Sequence, residues 1–405
     1  MKTTIQKNTE LWNSNNLLIE WVKKNDYVGW DTYDALNSDV IKKICAGNPV
    51  LKVLCTQVNI YSPINFRPIL KIKKGKDTKG LALFTQAYAN LYNLTNNTTF
   101  KNELEKCVSF LEKKSLKEKY NFHCWSSHYF PYTFNDKIIH TPDTPDIIGT
   151  SQTIIALVVS YKILNDKKLK DMITNSSSFL TEQLLEINKG DYYFKYHLFE
   201  DSDKIVPNAS AQGLQCISHV LSIINEKELR NIGKKIVDFI IKNQKKDGSW
   251  AYSFTTDGKE RSQLDFHQGY MIVGLLSFLP YANNRDRIID AIKKGSKYYK
   301  DTLFFNNCQS YYRYPMKYPI DIHNQAQGII TFSKLSVIDP NYLKFAYTIA
   351  KWTINNMQDK SGFFYHQKWR LFTNKIPYMR WSQAWMMLAL TDYLCYSKMK
   401  VYDEK

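Results

Sequence analysis

Apolar stretches recur along this chain at a near-constant interval and alternate with one-sided amphipathic stretches. The apolar stretches carry a glutamine and are spaced about 56–60 residues apart, after a looser first copy that lies further from the second. They contain Gln86, Gln152, Gln212, Gln268, Gln327 and Gln383. Each is apolar on nearly all sides, so each predicts a helix buried on nearly all sides. We interpret the recurring glutamine as an architectural residue that ties the hairpins together.

The lysine-rich stretches between them, such as "ELRNIGKKIVDFIIKNQ", place apolar residues on one helical face only. Each ends in a polar turn and an aromatic run, as in "KKDGSWAYSF". A buried helix alternating six times with an amphipathic helix predicts an all-α fold, an (α/α)6 barrel with short β-like turns. An open solenoid of helix pairs has a similar period. Six copies without polar caps favour the closed ring.

Because the repeats share one core, we expect residues 1–405 to form a single domain, with the N-terminal 20 or so residues peripheral. The chain is 44% hydrophobic, which suffices for a large core. Its seven cysteines, an odd number without regular spacing, favour reduced thiols and a cytoplasmic protein. We find no signal peptide and no apolar run of membrane-spanning length, so no integral membrane segment is expected.

The net charge of +17 favours an anionic partner. Lysine-rich codon bias also accounts for this charge, and the acidic partners that fit it are nucleic acid, an anionic polymer or a membrane surface. No nucleic-acid motif occurs and the lysines are spread along the chain, so we do not expect nucleic acid, whereas an anionic polysaccharide fits. The 28 Tyr and 9 Trp suit stacking on sugar rings, although large helical proteins also use tyrosine as half-buried filler.

In such a barrel the starts of the inner helices converge on one mouth, where free N–H groups and polar side chains share a cavity. The residues just before the helices therefore give the site candidates. They are Asn208, Asp265, His267, Asp321, His323, Tyr378, Arg380 and Trp381. Asp143 and Asp146 also precede a helix, where we expect N-caps.

The Asp-x-His pattern occurs twice, in "LDFHQGY" and "IDIHNQAQGI". Each helix needs only one cap, and an aspartate can also orient a histidine. The predicted catalytic residues are therefore Asp265, His267, Asp321 and His323. Two carboxylates could hydrolyse a glycosidic bond. Alternatively, a histidine or tyrosine could abstract a proton beside a uronate carboxylate held by Arg380. Asp-x-His is not a usual zinc spacing, and we expect neither a metal nor another cofactor.

Four stretches resemble a family of bacterial and archaeal proteins, the VpsJ-type polysaccharide biosynthesis proteins of the six-hairpin glycosidase-like superfamily. They are "YVGWDTYDALNS", "YSPINFRPILKIKKGKDTKGLALF", "YPIDIHNQAQGIITFSKL" and "YMRWSQAWMMLAL". The resemblance spans residues 20 to 395. It implies an (α/α)6 fold and a role in making surface or exported glycans (exopolysaccharide), without an established reaction.

The shared motifs carry Asp31, Asp34, Arg67, Asp321, His323, Arg380 and Trp381. The loop containing Trp125 resembles the family's Cys-Trp loop and departs from it after that residue. For Asp34 we expect the cap of "DALNSDVIKKI". Arg67 lies between apolar residues and needs an anionic partner, either Asp31 or Asp34 in a structural pair, or a ligand carboxylate. The predicted substrate-binding residues are therefore Arg380, Trp381, Tyr378, Asp31, Arg67, Trp125 and Asn208.

Three functions compete at this point. The favoured one is an enzyme acting on a glycan or a uronic-acid-containing sugar chain, as a hydrolase, lyase or epimerase. The second is a non-catalytic glycan-binding or scaffold protein of a polysaccharide assembly complex. The third is a terpene cyclase or prenyltransferase, because "QKKDGSW" matches a repeat motif of triterpene cyclases, but the acidic motifs of those enzymes are absent from the sequence.

Overall fold

A computed structural model describes residues 2–131, 140–199 and 203–403 of the chain. The α-helices in these ranges are α1 (Lys2–Lys24), α2 (Asp39–Cys45), α3 (Pro49–Tyr61), α4 (Thr78–Thr95), α5 (Thr98–Lys113), α6 (Lys117–Tyr120), α7 (Ile147–Leu164), α8 (Lys167–Phe179), α9 (Pro207–Leu221), α10 (Lys227–Lys242), α11 (His267–Phe278), α12 (Arg285–Leu303), α13 (Ile322–Leu335), α14 (Asn341–Met357) and α15 (Trp385–Asp403).

Six of these helices form a closed inner ring: α4, α7, α9, α11, α13 and α15. Each packs against the next, and α15 packs against α4. They are the stretches that are apolar on all sides, and 13 of the 18 residues of α7 are buried. The predicted (α/α)6 barrel is confirmed, and the contact between the last and first inner helices distinguishes it from an open solenoid.

The outer layer consists of the amphipathic helices α5, α8, α10, α12 and α14, with α1 beside α14 and α15. In α10 the buried residues lie at helical spacing on one face and include Leu229, Ile232 and Ile236. The N-terminal helix α1, where we expected peripheral residues, lies outside the ring. Its side chains Leu11, Leu18 and Val22 are nevertheless fully buried.

Helix α7 is long and apolar enough, by length and composition, to be a candidate membrane span. Within the described residues it is the one helix that meets this test, and 72% of it is buried inside the protein. Its burial as an inner helix accounts for its composition, because such a helix contacts neighbours on every side.

Short antiparallel strands form at the aromatic turns. They are β1 (Leu185–Asn188), β2 (Asp191–Phe194), β3 (Lys204–Ile205), β4 (Ser253–Thr255), β5 (Glu260–Arg261), β6 (Phe304–Phe305), β7 (Gln309–Ser310), β8 (Ile320–Asp321), β9 (Gln367–Lys368) and β10 (Thr373–Asn374). Strands β1 and β2 pair, as do β6 and β7, and two three-stranded sheets have the orders β3-β4-β5 and β10-β9-β8. The second sheet opposes Asp321 to Gln367.

The recurring glutamines occupy two different structural positions. Gln268 and Gln383 each accept a hydrogen bond from, and donate one to, the backbone of an aromatic-turn residue, Trp250 and Phe364 respectively. Gln325 ties Ser310 and Cys308 in the same way. These side chains confirm the architectural interpretation, because they fasten the aromatic turn to the start of the inner helix.

The other glutamines lie toward the barrel axis. The Gln86 amide donates to the Gln152 side-chain oxygen at 3.0 Å, and the Gln152 amide donates to Gln212 at 2.7 Å. Gln327 bonds Thr331 of its own helix. Aligning the six copies on glutamine therefore mixed an axial position with a turn-binding position. Tyr270 and Trp385 line the cavity beneath the mouth together with Gln152 and Gln327.

The segment between α1 and α4 has a small hydrophobic core of its own, made by Ala35, Leu36, Ile41, Cys45 and Ile72. The same segment contains a fully buried ion pair, in which Arg67 Nε lies 3.0 Å from Asp34 Oδ1. Arg67 therefore has the structural partner that its position demanded. The prediction that Asp34 caps the following helix was wrong, because Ser38 caps α2.

Candidate active site

The N-terminal ends of the inner helices surround one cavity of about 170 Å³. Asp77 caps α4, Asp146 caps α7 and Asp321 caps α13 through side-chain oxygens that accept backbone N–H groups. The cap is thus confirmed for Asp146, whereas Asp143 is exposed in the preceding loop. Asp321 has two roles, because it caps α13 and also lines the cavity.

Asp265 and His267 form a close pair in this cavity. Asp265 Oδ1 lies 2.5 Å from His267 Nδ1 and accepts the His267 backbone N–H at 3.1 Å. A carboxylate in this position fixes the proton on Nδ1 and leaves Nε2 as the nitrogen available to a bound molecule.

His323 is held differently, although its sequence motif is the same. Asp321 accepts its backbone N–H, but the His323 ring bonds Tyr270, with Nε2 2.8 Å from the hydroxyl oxygen. The ring stacks against Phe266 and Trp385, with centroids 4.3 Å and 4.7 Å away. Burial, reinforced by the positive charge of Lys79, holds the pKa of His323 well below its usual value. His323 is therefore neutral near pH 7.

Asp321 has no free carboxylate oxygen. Oδ2 accepts the Gln367 amide at 2.8 Å, and Oδ1 accepts the Trp381 indole N–H at 3.1 Å. Burial raises the pKa of Asp321, although these hydrogen bonds act in the opposite direction. The expected parallel between the two Asp-x-His motifs therefore fails, because Asp265 orients a histidine ring whereas Asp321 orients a tryptophan ring.

Arg380 lines the cavity but its charge is already paired. Its Nε and Nη2 atoms each lie 2.8 Å from a carboxylate oxygen of Asp31, and Asp77 lies 3.6 Å away. Burial alone would raise the pKa of Asp31, but Arg380 outweighs it and lowers that pKa. At Asp77 burial prevails and raises the pKa to about 7. Arg380 is thus a tethered cation rather than a free clamp for a substrate carboxylate.

Of the predicted substrate-binding residues, Asn208, Arg380 and Trp381 line the cavity. Asp31, Arg67, Tyr378 and Trp125 do not, and all four are fully buried. Asp31 holds Arg380, Arg67 holds Asp34, and Tyr378 packs 4.7 Å from the Arg67 guanidinium carbon. The Trp125 indole donates to the Leu111 carbonyl at 2.8 Å. These four residues therefore lie behind the cavity wall and support it.

Sequence reasoning missed several residues of the cavity, notably Lys79, His128, Tyr270, Arg313 and His366. Burial lowers the pKa of Lys79 to about 7, and its amino group lies 5.3 Å from the Trp385 ring centre. Lys79 lies two residues after the Asp77 cap at the start of the first inner helix, as His267 and His323 lie two residues after Asp265 and Asp321. The first copy matches the repeat pattern only loosely, so the pattern does not identify Lys79 as a candidate.

Aromatic rings line much of the cavity wall. They belong to Tyr33, Tyr196, Tyr252, Phe266, Tyr270, Tyr312 and Trp381. Trp381 meets Tyr33 edge to face at 5.9 Å. Flat apolar faces beside a few polar groups suit a sugar ring, which has both apolar faces and hydroxyl edges.

No family model and no curated protein matches the chain. Solved structures match over most of its length at low identity. A cellobiose 2-epimerase from Spirochaeta thermophila superposes with a TM-score of 0.61 and 11% identity, covering 80% of this chain and 87% of that one. A GH76 α-mannanase from Bacteroides thetaiotaomicron gives 0.62 and 12%, covering 81% and 88%.

An unsaturated glucuronyl hydrolase specific for heparin gives a TM-score of 0.59 and 12% identity, covering 82% of this chain and 90% of that one. Together with the ring of helix hairpins described above, these matches establish that the chain has the (α/α)6 toroid fold.

Proposed function

We propose that this protein is a sugar-processing enzyme that moves protons on a carbohydrate, as an epimerase or isomerase. One observation carries the proposal: two imidazole rings in the cavity are prepared differently. The Phe266 ring lies 4.2 Å from the His267 ring and 4.3 Å from the His323 ring. His267 has a carboxylate behind it, whereas burial keeps His323 neutral. These are the properties of a base and of a neutral hydrogen-bond donor.

In the proposed reaction, His267 Nε2 removes the proton from the carbon beside the carbonyl of an open-chain sugar. The C–H electron pair forms the C=C bond of an enediol, and the carbonyl oxygen takes a proton from the His323–Tyr270 pair. The enediol then turns its opposite face to His267, whose Nε2–H protonates the original carbon while the hydroxyl formed from the carbonyl returns its proton to the His323–Tyr270 pair, and the product is the epimer. Protonation of the former carbonyl carbon by His267, with loss of the neighbouring hydroxyl proton to the same pair, gives the ketose instead. Asp265 stabilises the positive charge that His267 carries between the two proton transfers.

The carboxylates are less suited to glycoside hydrolysis, because Asp265 and Asp321 are both occupied by hydrogen bonds. Hydrolysis is nevertheless the second candidate. Asp321 lines the cavity and burial raises its pKa, as a general acid requires. The solved structures of the same fold include a mannanase and a glucuronyl hydrolase as well as an epimerase, which supports carbohydrate chemistry in general.

The substrate we propose is a glycan or a sugar of glycan biosynthesis, uronic acids included. The resemblance to VpsJ-type proteins supports this role. Arg313 at the cavity favours an anionic sugar over a neutral one, and so does Lys79 in its protonated form, which its pKa of about 7 makes available near neutral pH.

The test is to incubate the protein with reducing sugars and uronates in D₂O and to follow deuterium at the carbon beside the carbonyl by NMR. Proton transfer incorporates deuterium, and His267→Gln, His323→Gln and Asp265→Asn each lower the rate by about 10²-fold or more. His219→Gln is the matched control, because this histidine lies near the far end of α9.

Cleavage of an oligosaccharide without deuterium on carbon would replace this proposal with hydrolysis. Sugar binding without either reaction, measured by calorimetry, would favour the binding or scaffold role.

A further inference from the structure

The segment between α1 and α4 exposes an unusual amount of apolar surface. Nine of the eighteen exposed large hydrophobic side chains in the described ranges fall between residues 44 and 69. They are Ile44, Val50, Leu51, Leu54, Val58, Tyr61, Ile64, Phe66 and Ile69. Val50 is 71% exposed and Ile69 is 76% exposed. Single exposed apolar residues are ordinary, but a contiguous group of this kind marks an interaction site.

Helix α3 shows that this exposure is organised. Thr56, Asn59 and Ile60 are buried on one face of the helix. Val50, Leu54 and Val58 follow one another at four-residue spacing on a different, exposed face. The helix therefore packs against the protein through a largely polar face and leaves an apolar face exposed. Ile60 on the inner side lines the active-site cavity, so the exposed side lies at the mouth of the barrel.

A second exposed apolar element adjoins α3. The turn between β9 and β10 presents Leu371, 93% exposed, and Phe372, 43% exposed. The Asn374 amide in β10 donates to the Ser62 carbonyl just after α3, at 3.2 Å. We call the exposed apolar residues between 44 and 69, together with Leu371 and Phe372, the rim patch.

The charges around the rim patch are almost all positive. Residues 39–76 and 368–375 contain the basic residues Lys42, Lys43, Lys52, Lys71, Lys73, Lys74, Lys76, Lys368, Arg370 and Lys375, in addition to the buried Arg67. Asp39 is the only acidic residue in these two stretches. It is paired with Lys42 and Lys73.

From this combination we infer that the rim patch binds the surface of an anionic lipid bilayer. Apolar side chains enter the boundary between headgroups and acyl chains, while the surrounding cations contact the phosphates. The barrel mouth then lies beside the membrane, and the cavity draws its substrate from that side. The inference does not depend on the reaction proposed above.

A second copy of the chain fits the patch less well. The commonest dimer has a two-fold axis, which places the same patch on both sides of the interface. The rings of lysines would then face each other, and like charges brought together in this way disfavour association. An anionic surface supplies the complementary charge for the whole ring at once.

The experiment measures binding of the full chain to vesicles of phosphatidylcholine, with and without 30% phosphatidylglycerol, by co-sedimentation. We expect binding to the anionic vesicles only. The double variant Leu54→Ser/Leu371→Ser keeps the charge and lowers the partition coefficient about tenfold or more. Lys43→Gln, Lys71→Gln and Arg370→Gln, which remove exposed cations, each lower it about fivefold.

Val337→Ser is the matched control, because Val337 is 60% exposed beyond the opposite end of α13; it retains full binding. Circular dichroism and the unfolding midpoint verify that every variant is folded. Equal vesicle binding by the wild type and the Leu54→Ser/Leu371→Ser variant would overturn the inference. The inference would also be overturned if the wild type did not bind vesicles and instead formed dimers at rising concentration that the Leu54→Ser/Leu371→Ser variant did not form.

Discussion

Three histidines lie at the barrel mouth, and removal from water lowers the pKa of each of them. His128 and His323 have pKa values well below the ordinary range, and that of His366 falls to about 3. His366 packs edge to face on Tyr378 at 4.7 Å and lies 3.5 Å from Asp321. A neutral imidazole in the folded state has a thermodynamic consequence, because the unfolded chain binds the proton that the folded protein excludes.

This consequence predicts how stability depends on pH. The unfolded pKa of histidine is about 6.5, above the folded value of about 3 for His366. As pH falls below about 6.5, the unfolded state is protonated first, and His366 costs the folded state about 1.4 kcal/mol per pH unit. His366→Gln removes this penalty. Urea denaturation at pH 7, 6 and 5 should give a correspondingly smaller acid-induced loss of unfolding free energy in the variant.

The comparison uses slopes, so any constant cost of replacing the His366 ring cancels. Parallel pH profiles for the wild type and His366→Gln would contradict the prediction and would mean that folding does not change the pKa of His366.

At the scale of elements, the sequence predicts helices better than it predicts how their ends are arranged. A helix that is apolar all round has to be buried all round, so α7 and α11 were recognisable from composition alone. The partners of a polar side chain at a helix start come from distant positions. Asp321 takes hydrogen bonds from Gln367 and Trp381, and Asp31 binds Arg380 from the other end of the chain. No local pattern encodes these pairings.

The same limitation explains the error at the glutamines. Both positions are buried and polar, so the sequence does not distinguish a side chain that holds the aromatic turn from one that lies on the barrel axis. The sequence pattern also does not reveal that Asp265 bonds its histidine ring while Asp321 does not. That difference is set by β9 and by Trp381, which provide Asp321 with other donors.

The two glutamine positions predict different costs on substitution. Gln268→Ala removes both hydrogen bonds to the Trp250 backbone and leaves that buried N–H and carbonyl without them. The expected loss of unfolding free energy is about 2–4 kcal/mol. Gln327→Ala removes a bond to Thr331 of the same helix and should cost less, about 1–2 kcal/mol. Chemical denaturation of both variants measures the difference, and equal losses would contradict the distinction.

At the scale of the whole molecule, the ring depends on the seam where α15 meets α4. Away from the cavity, Asp392 of α15 accepts the Asn90 amide of α4 at 2.8 Å and lies 3.0 Å from the Lys334 amino group of α13. One carboxylate thus joins three inner helices. Burial alone would lower the pKa of Lys334, but Asp392 outweighs it and raises that pKa, so Lys334 is charged throughout the physiological range.

This seam gives the prediction for closure of the ring. Asp392→Ala leaves Lys334 charged and largely buried without its partner, and breaking such a pair from one side costs about 3 kcal/mol. Replacing both residues, as Lys334→Met with Asp392→Ala, removes the uncompensated charge and should recover most of that loss. Chemical denaturation of the two variants and of Lys334→Met alone completes a double-mutant cycle. If the double variant is as unstable as the sum of the single ones, the pair does not couple the helices. The closed ring would then rest on the apolar contacts between α4 and α15 alone.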